Sequence, residues 1–178
     1  TLALALVQAL AAVRLRSDML RPPLAGPARY DPAVTEATYA RMLALARPVL
    51  ASGRTVVLDA TFLQRAPREA ALALARDSGV PLGIVDLQAD AEVLRKRLLQ
   101  RQQAGGDPSQ ADAAVLARQI ESAQPLSPAE QALALPGPAD SEDMGPWLAR
   151  LRQRLQASSS TSASDAGSVP VASPFSSA

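Results

Sequence analysis

Residues Arg54–Arg68 read RTVVLDATFLQRAPR, and the fold turns on how this stretch is read. Thr55–Leu58 are β-branched or bulky apolar residues without the polar alternation of a half-exposed strand. Gly53 punctuates the front, and an Ala-rich helical pattern follows Pro67. A short, continuously apolar run of this kind predicts a strand buried on both faces of a parallel sheet. Asp59 falls where that strand runs out, with Thr61 two residues on. In open α/β sheets, ligands bind at the carboxyl ends of strands, which places a carboxylate there for chemistry. Asp59 could equally do no more than cap the following turn or helix.

The rest of the chain alternates between the same two kinds of pattern. Leu2, Leu6, Leu10 and Val13 recur at three- and four-residue spacing, which predicts a buried helix over 1–11, although LALAL also alternates as a strand would. Val13–Arg16 (VRLR) reads as a short strand ending at Ser17-Asp18. Residues 21–32 hold four of the 15 prolines and read as loop. Met42, Leu45 and Val49 return at helical spacing between Val34 and Leu50. Further along, the patterns predict a helix at 67–78 stopped by Gly79, a strand within Pro81–Leu87 and a helix over 90–103. After a break at Gly105-Gly106 they predict a helix over 109–122, a short strand at Ala132–Leu135 and an amphipathic helix at Trp147–Leu155. Strands alternating with such helices predict an α/β domain over 1–156 with a doubly wound, mostly parallel sheet. From Ala157 the composition shifts to Ser, Ala, Gly and Pro, so 157–178 is expected to be a disordered tail.

Composition narrows the chemistry. The 178 residues carry Lys+Arg 18 against Asp+Glu 17, a net charge of +1 that advertises no polyanionic partner. There is no Cys and no His, which excludes disulfides, thiolate nucleophiles, Ser-His-Asp triads and histidine or cysteine metal sites. What remains is carboxylates, hydroxyls, Arg (Lys96 is the single Lys) and a hard, oxygen-ligated metal such as magnesium. Two Phe, two Tyr and one Trp offer little stacking surface for nucleic-acid bases. Residues 1–13 are apolar but shorter than the ~20 residues of a bilayer span, and Arg14 follows rather than precedes them. The reading is a soluble, cytoplasmic protein. Beginning at Thr1 inside a helix-like run, the chain reads as a fragment or a processed product.

Three clusters could carry chemistry. Arg16-Ser17-Asp18 with Arg21 can set a proton acceptor beside an anion-binding fork, or be a helix cap with a solvated Arg. Asp59 with Thr61 is the second. Arg97 and Arg101 lie one turn apart, where like charges repel unless an anion or carboxylate sits between them; a solvated face near Glu92 or Asp107 is the plainer alternative.

The order of these parts resembles the P-loop kinases, in the polynucleotide-kinase, zeta-toxin and gluconate-kinase branch. The likeness is strongest to the AAA-type ATP-binding kinase module often fused to an aminoglycoside-phosphotransferase-like domain. VRLRSD (13–18), RPVLASGRTVVLDA (47–60), LRKRLLQR (94–101) and DPSQAD (107–112) carry the resemblance, which covers about residues 1–135. It implies transfer of the γ-phosphoryl of ATP to a hydroxyl acceptor with magnesium neutralising the phosphates. Asp18 would accept the hydroxyl proton and Arg21 would hold the acceptor or the transferring group. Asp59 would support the magnesium shell, through water. Arg97 and Arg101 would be lid arginines over ATP, and Thr1 and Thr61 would also contact the nucleotide. Phosphoryl transfer asks mainly for positioning and charge neutralisation, which needs neither Cys nor His.

One part of the family pattern is missing. The Gly-rich loop G-x-x-x-x-G-K-[ST], whose amides and Lys cradle phosphates, occurs nowhere in the 178 residues. In the family that loop leads into a helix like the one at 1–11, so Thr1 would fall at its end and the preceding central strand would be absent. The sheet is therefore expected to have a gap or a re-paired neighbour. Three functions follow: a kinase domain truncated at its start and acting on a small molecule or a nucleic-acid 5′-hydroxyl; an ATP-hydrolysing module of a fused protein; or a degenerate relative that serves as a binding or scaffold domain.

Overall fold

The computed structural model describes residues 2–23, 28, 31–87, 122–138 and 144–164. Along the chain they form α1 (Leu2–Leu10), β1 (Val13–Arg16), α2 (Ser17–Leu20), α3 (Pro32–Ala51) and β2 (Val56–Asp59). There follow α4 (Arg65–Asp77), β3 (Ile84–Asp86), α5 (Pro128–Leu133), β4 (Ala134–Pro136) and α6 (Met144–Ser164). The helices expected over 90–103 and 109–122, with the Gly105-Gly106 break, lie outside the described residues except for Ser122, which is in a turn.

Strand pairing is parallel throughout, as the apolar runs predict, but it falls into two separate pairs. β1 pairs with β2 in the register Val13↔Val56 to Arg16↔Asp59, and β3 pairs with β4 from Ile84↔Ala134 to Asp86↔Pro136. Among the described residues nothing hydrogen-bonds β2 to β3. A single core nevertheless joins the pairs. Val57 of β2, Val85 of β3 and Leu135 of β4 pack with Leu6 of α1 and with Trp147 and Leu151 of α6. Trp147 is fully buried there, and its indole N–H donates to the carbonyl of Pro136 at 2.8 Å, so the one polar atom of the ring is satisfied. On the opposite face α3 packs against β1, β2 and α4, burying Tyr39, Met42 and Ala46 beside Ala71, Leu74 and Ala75. Helices on both faces of parallel strands make the doubly wound arrangement.

Three boundaries differ from the sequence reading. Every residue of β2 is only partly buried, where burial on both faces was expected; among the described residues β2 has a hydrogen-bonded strand on one side alone. Helix α4 begins at Arg65 and accommodates Pro67 in its first turn, where the missing N–H has no intrahelical partner to lose. Helix α6 continues through Ser164, past the boundary expected at 157; residues 165–178 lie outside the described residues.

The helix ends explain the glycines. Gly53 and Gly79 follow α3 and α4 with φ of +76° and +62°, the left-handed position that closes a helix. After α1 the same position is held by Ala11 at φ +46°, where its Cβ is strained. Replacing Ala11 with Gly should therefore stabilise the fold by about 0.5–1 kcal/mol, and Gly53→Ala should cost about 1 kcal/mol, both read from urea unfolding midpoints. No heavy atom lies within 4 Å of a Cβ built on Gly53, so backbone strain alone would cause that loss.

Candidate active site at the carboxyl ends of β1 and β2

The parallel register sets Arg16 beside Asp59 at the strand tips. Alternation puts Arg14, Arg16, Val57 and Asp59 on one face of the pair, the face that carries α1. There the Arg14 guanidinium donates through Nε, at 2.8 Å, and through Nη2 to Oδ2 of Asp59. The chain then turns into α2, and Arg16 forms a forked pair with Asp18, Nε to Oδ1 at 3.0 Å and Nη2 to Oδ2. Arg16 also feels the charge of Asp59. The result is a row of alternating charges, Asp18, Arg16, Asp59 and Arg14, along the strand tips.

Pairing in this row keeps Asp18 ionised. The Arg16 fork lowers the Asp18 pKa from its ordinary value, helped by the backbone amides of Met19 and of Asp18 itself. Asp18 is 53% exposed, so the pair adds little to stability, but the carboxylate remains charged and accessible. Asp18 does not serve as a helix cap, because the N-cap of α2 is Arg16, which makes no side-chain cap bond.

Arg21 closes α2 and directs Nη1 to the hydroxyl of Thr35 in the first turns of α3, at 3.1 Å. Thr61 lies 3.4 Å from the Tyr39 hydroxyl. The structure thus brings Asp18, Arg21, Asp59 and Thr61 to one end of the β1–β2 pair. Thr1, Arg97 and Arg101 lie outside the described residues.

Beyond Asp59 the loop is held from below. Arg68, 5% exposed, donates Nε to Glu130 Oε1 at 2.6 Å and Nη2 to Oε2 at 3.3 Å. Its remaining donors reach the carbonyls of Phe62, at 2.9 Å, and Pro125, at 3.1 Å. Glu130 is 2% exposed and completes a capping box with Ser127 at the start of α5. The Arg68 fork first, and the Ser127 amide and hydroxyl after it, pull the Glu130 pKa from 4.5 down to about 2, against the opposing effect of burial. Gln64 bonds the carbonyl of Ser122 at 2.8 Å, and Gln124 bonds the loop at Leu63 and Arg65. Residues 122–127 are stitched to the loop that follows Asp59.

Sequence reading missed these supports for different reasons. S-P-A-E at 127–130 is a legible capping-box signature with Pro at N1. Arg14, Tyr39 and Arg68 carry no such mark, because their partners lie far away in sequence and only pairing and packing select them.

Magnesium fits this tip only in part. Among the described residues no group of three or more acidic or metal-ligating side chains could hold a metal. Asp59 is a single carboxylate, 36% exposed, with both Arg14 bonds on Oδ2. That suits contact through water to an ion whose other ligands are phosphate oxygens.

The arrangement of helices and parallel strands is a P-loop kinase-like α/β fold. Residues 1–126 match the AAA domain family, and the chain belongs to it. Its fold is similar to the crystal structure of a candidate kinase from Chloroflexus aurantiacus, at 19% identity and a TM-score of 0.56, covering 87% of this chain and 90% of that one. It is also similar to a gluconokinase from Sinorhizobium meliloti, at 20% identity and a TM-score of 0.53, covering 92% and 86%. No curated protein sequence matches the chain. No helix among the described residues is long and apolar enough to cross a membrane.

The depressed Glu130 carboxylate has a pH consequence. Its contribution to stability is complete above its unfolded value near 4.5 and is lost as pH falls toward the folded value of about 2. Urea unfolding between pH 5 and about 2.5 should show that loss, and Glu130→Gln should flatten this limb. At neutral pH, Glu130→Ala should cost about 3–5 kcal/mol, because Arg68 would be left buried without its counter-charge.

Proposed function

We propose that this chain is part of a kinase domain that transfers the γ-phosphoryl group of ATP to a hydroxyl of a small molecule. The observation that carries the reading is the placement of two carboxylates, Asp18 and Asp59, at the carboxyl ends of adjacent parallel strands, with Arg16 beside both. A loose phosphoryl-transfer transition state needs little pull on the acceptor proton, so a carboxylate held below its ordinary pKa suffices as the acceptor of that proton. The hydroxyl oxygen bonds to the γ-phosphorus as the bond to the bridging oxygen breaks, and the proton passes to Asp18.

Arg21 holds the acceptor or the transferring group. Asp59 would hold magnesium through water, and the ion when bound would neutralise the phosphate charge. Thr1 and Thr61 contact the nucleotide, while Arg97 and Arg101 close over ATP. The phosphate-cradling Gly-rich loop and a strand before it belong to residues preceding Thr1. Two features support that placement: among the described residues β2 and β3 are unbridged yet share one core, and α1, joined to β1 by only Ala11 and Ala12, packs on β1 and β2. The proposal extends to a cytoplasmic protein fused to a phosphotransferase-like domain. A non-catalytic scaffold is favoured instead by the pairing of both acids with arginines.

The test uses the full-length protein with ATP and a panel of sugars, sugar acids, nucleosides and 5′-hydroxyl oligonucleotides. Asp18→Asn should lower turnover by about 10²–10⁴-fold while ATP affinity holds. Equal loss of both would reduce Asp18 to a salt-bridge partner. Arg101→Ala should lower kcat by about 10²-fold, and an unchanged rate would return Arg101 to a solvated helix face. If no hydroxyl compound is phosphorylated, the scaffold reading stands.

A further inference from the structure

Phe62 is three residues beyond Asp59 and has φ +46°, one of two non-glycine residues with positive φ among those described. A bulky side chain rarely adopts this left-handed conformation, which persists only where the surroundings impose it. Here both polar atoms of its backbone are gripped by side chains. Its N–H donates to the Tyr39 hydroxyl at 3.0 Å, and its carbonyl accepts from Arg68 Nη1 at 2.9 Å. The two grips come from different helices, α3 and α4, and neither side chain is free to move. Tyr39 is buried, with its ring 5.0 Å from the Phe62 ring and tilted by 57°. Arg68 is buried and locked by Glu130. The same Tyr39 hydroxyl lies 3.4 Å from Thr61 Oγ1, so it reaches two consecutive residues of the loop.

We infer that Tyr39 and Arg68 are positioning residues: by gripping the amide and the carbonyl of left-handed Phe62, they fix the direction in which the chain leaves β2, and with it Thr61 and Asp59. The inference rests on the phosphoryl-transfer reading for its catalytic consequence, but not for the grip itself. A hydroxyl and a guanidinium are suited to this role because the hydroxyl oxygen can accept from an N–H and the guanidinium can donate to a carbonyl while keeping further donors for its own anchors. Arg68, anchored at Pro125 as well, refers the loop to residues 122–127.

Tyr39→Phe tests this in the full-length protein, since it keeps the ring pair and removes only the hydroxyl. Hydrogen exchange at the Phe62 amide should accelerate about tenfold or more, while the β1–β2 amides stay within about twofold. Turnover should fall about tenfold with KM for ATP and acceptor within about twofold, the pattern of misplaced groups rather than lost binding. Three results would overturn the inference: unchanged exchange at Phe62, uniform acceleration of all slow amides, or faster Phe62 exchange with full turnover. A wild-type protein that phosphorylates no acceptor would remove the kinase reading alone. Exchange would then decide the grip, with local acceleration upholding it and uniform or absent acceleration removing it.

Discussion

Arg68 and Glu130 are 62 residues apart in sequence, and neither is appreciably exposed to water. Two charges removed from solvent are tolerable only when each is paired and its remaining donors or acceptors are satisfied. That requirement is met by drawing in Phe62 and Pro125 through their carbonyls and Ser127 through its amide and hydroxyl. A pair that costs so much to misplace specifies where α4, α5 and the loop after β2 sit relative to each other. Apolar packing of the same volume could supply comparable stability without that directional demand.

The strand tips are governed by a weaker and more exposed electrostatics. Arg14 and Arg16 pair with Asp59 and Asp18 without burying them, so both carboxylates stay partly exposed to solvent. The separation between a buried, directional anchor and a half-exposed charged tip suits a site that must keep its geometry while exchanging ligands. It also fits the short β1 and β2, which pair with each other and pack against α1 and α3.

Much of this was legible in the residues. Short apolar runs after Gly53 and Pro81 predicted β2 and β3, VRLR ahead of Ser17-Asp18 predicted β1, and helical spacing predicted α1, α3, α4 and α6, because periodicity reports directly which side of an element faces the core. The carboxylates at 18 and 59 were legible for a similar local reason, since each falls where a short strand pattern runs out. Element ends were less legible. Ala11 closes α1 in a conformation that composition argues against, and α6 continues into Ser-rich residues whose weak helix preference does not mark a stop.

By itself, the sequence determined the class of fold, the order of its parts and the limits of its chemistry, since residue types and their spacing are local properties. Only the tertiary structure decided which arginine meets which acid. Arg14 reaches Asp59 because a parallel register sets it beside that strand, and Arg68 finds Glu130 because α4 and α5 converge under one loop. The stretch 54–68 was readable as a strand ending in an acid. That its loop is turned through a left-handed Phe62 and held by Tyr39 and Arg68 depended on helices distant in sequence, which no local pattern encodes.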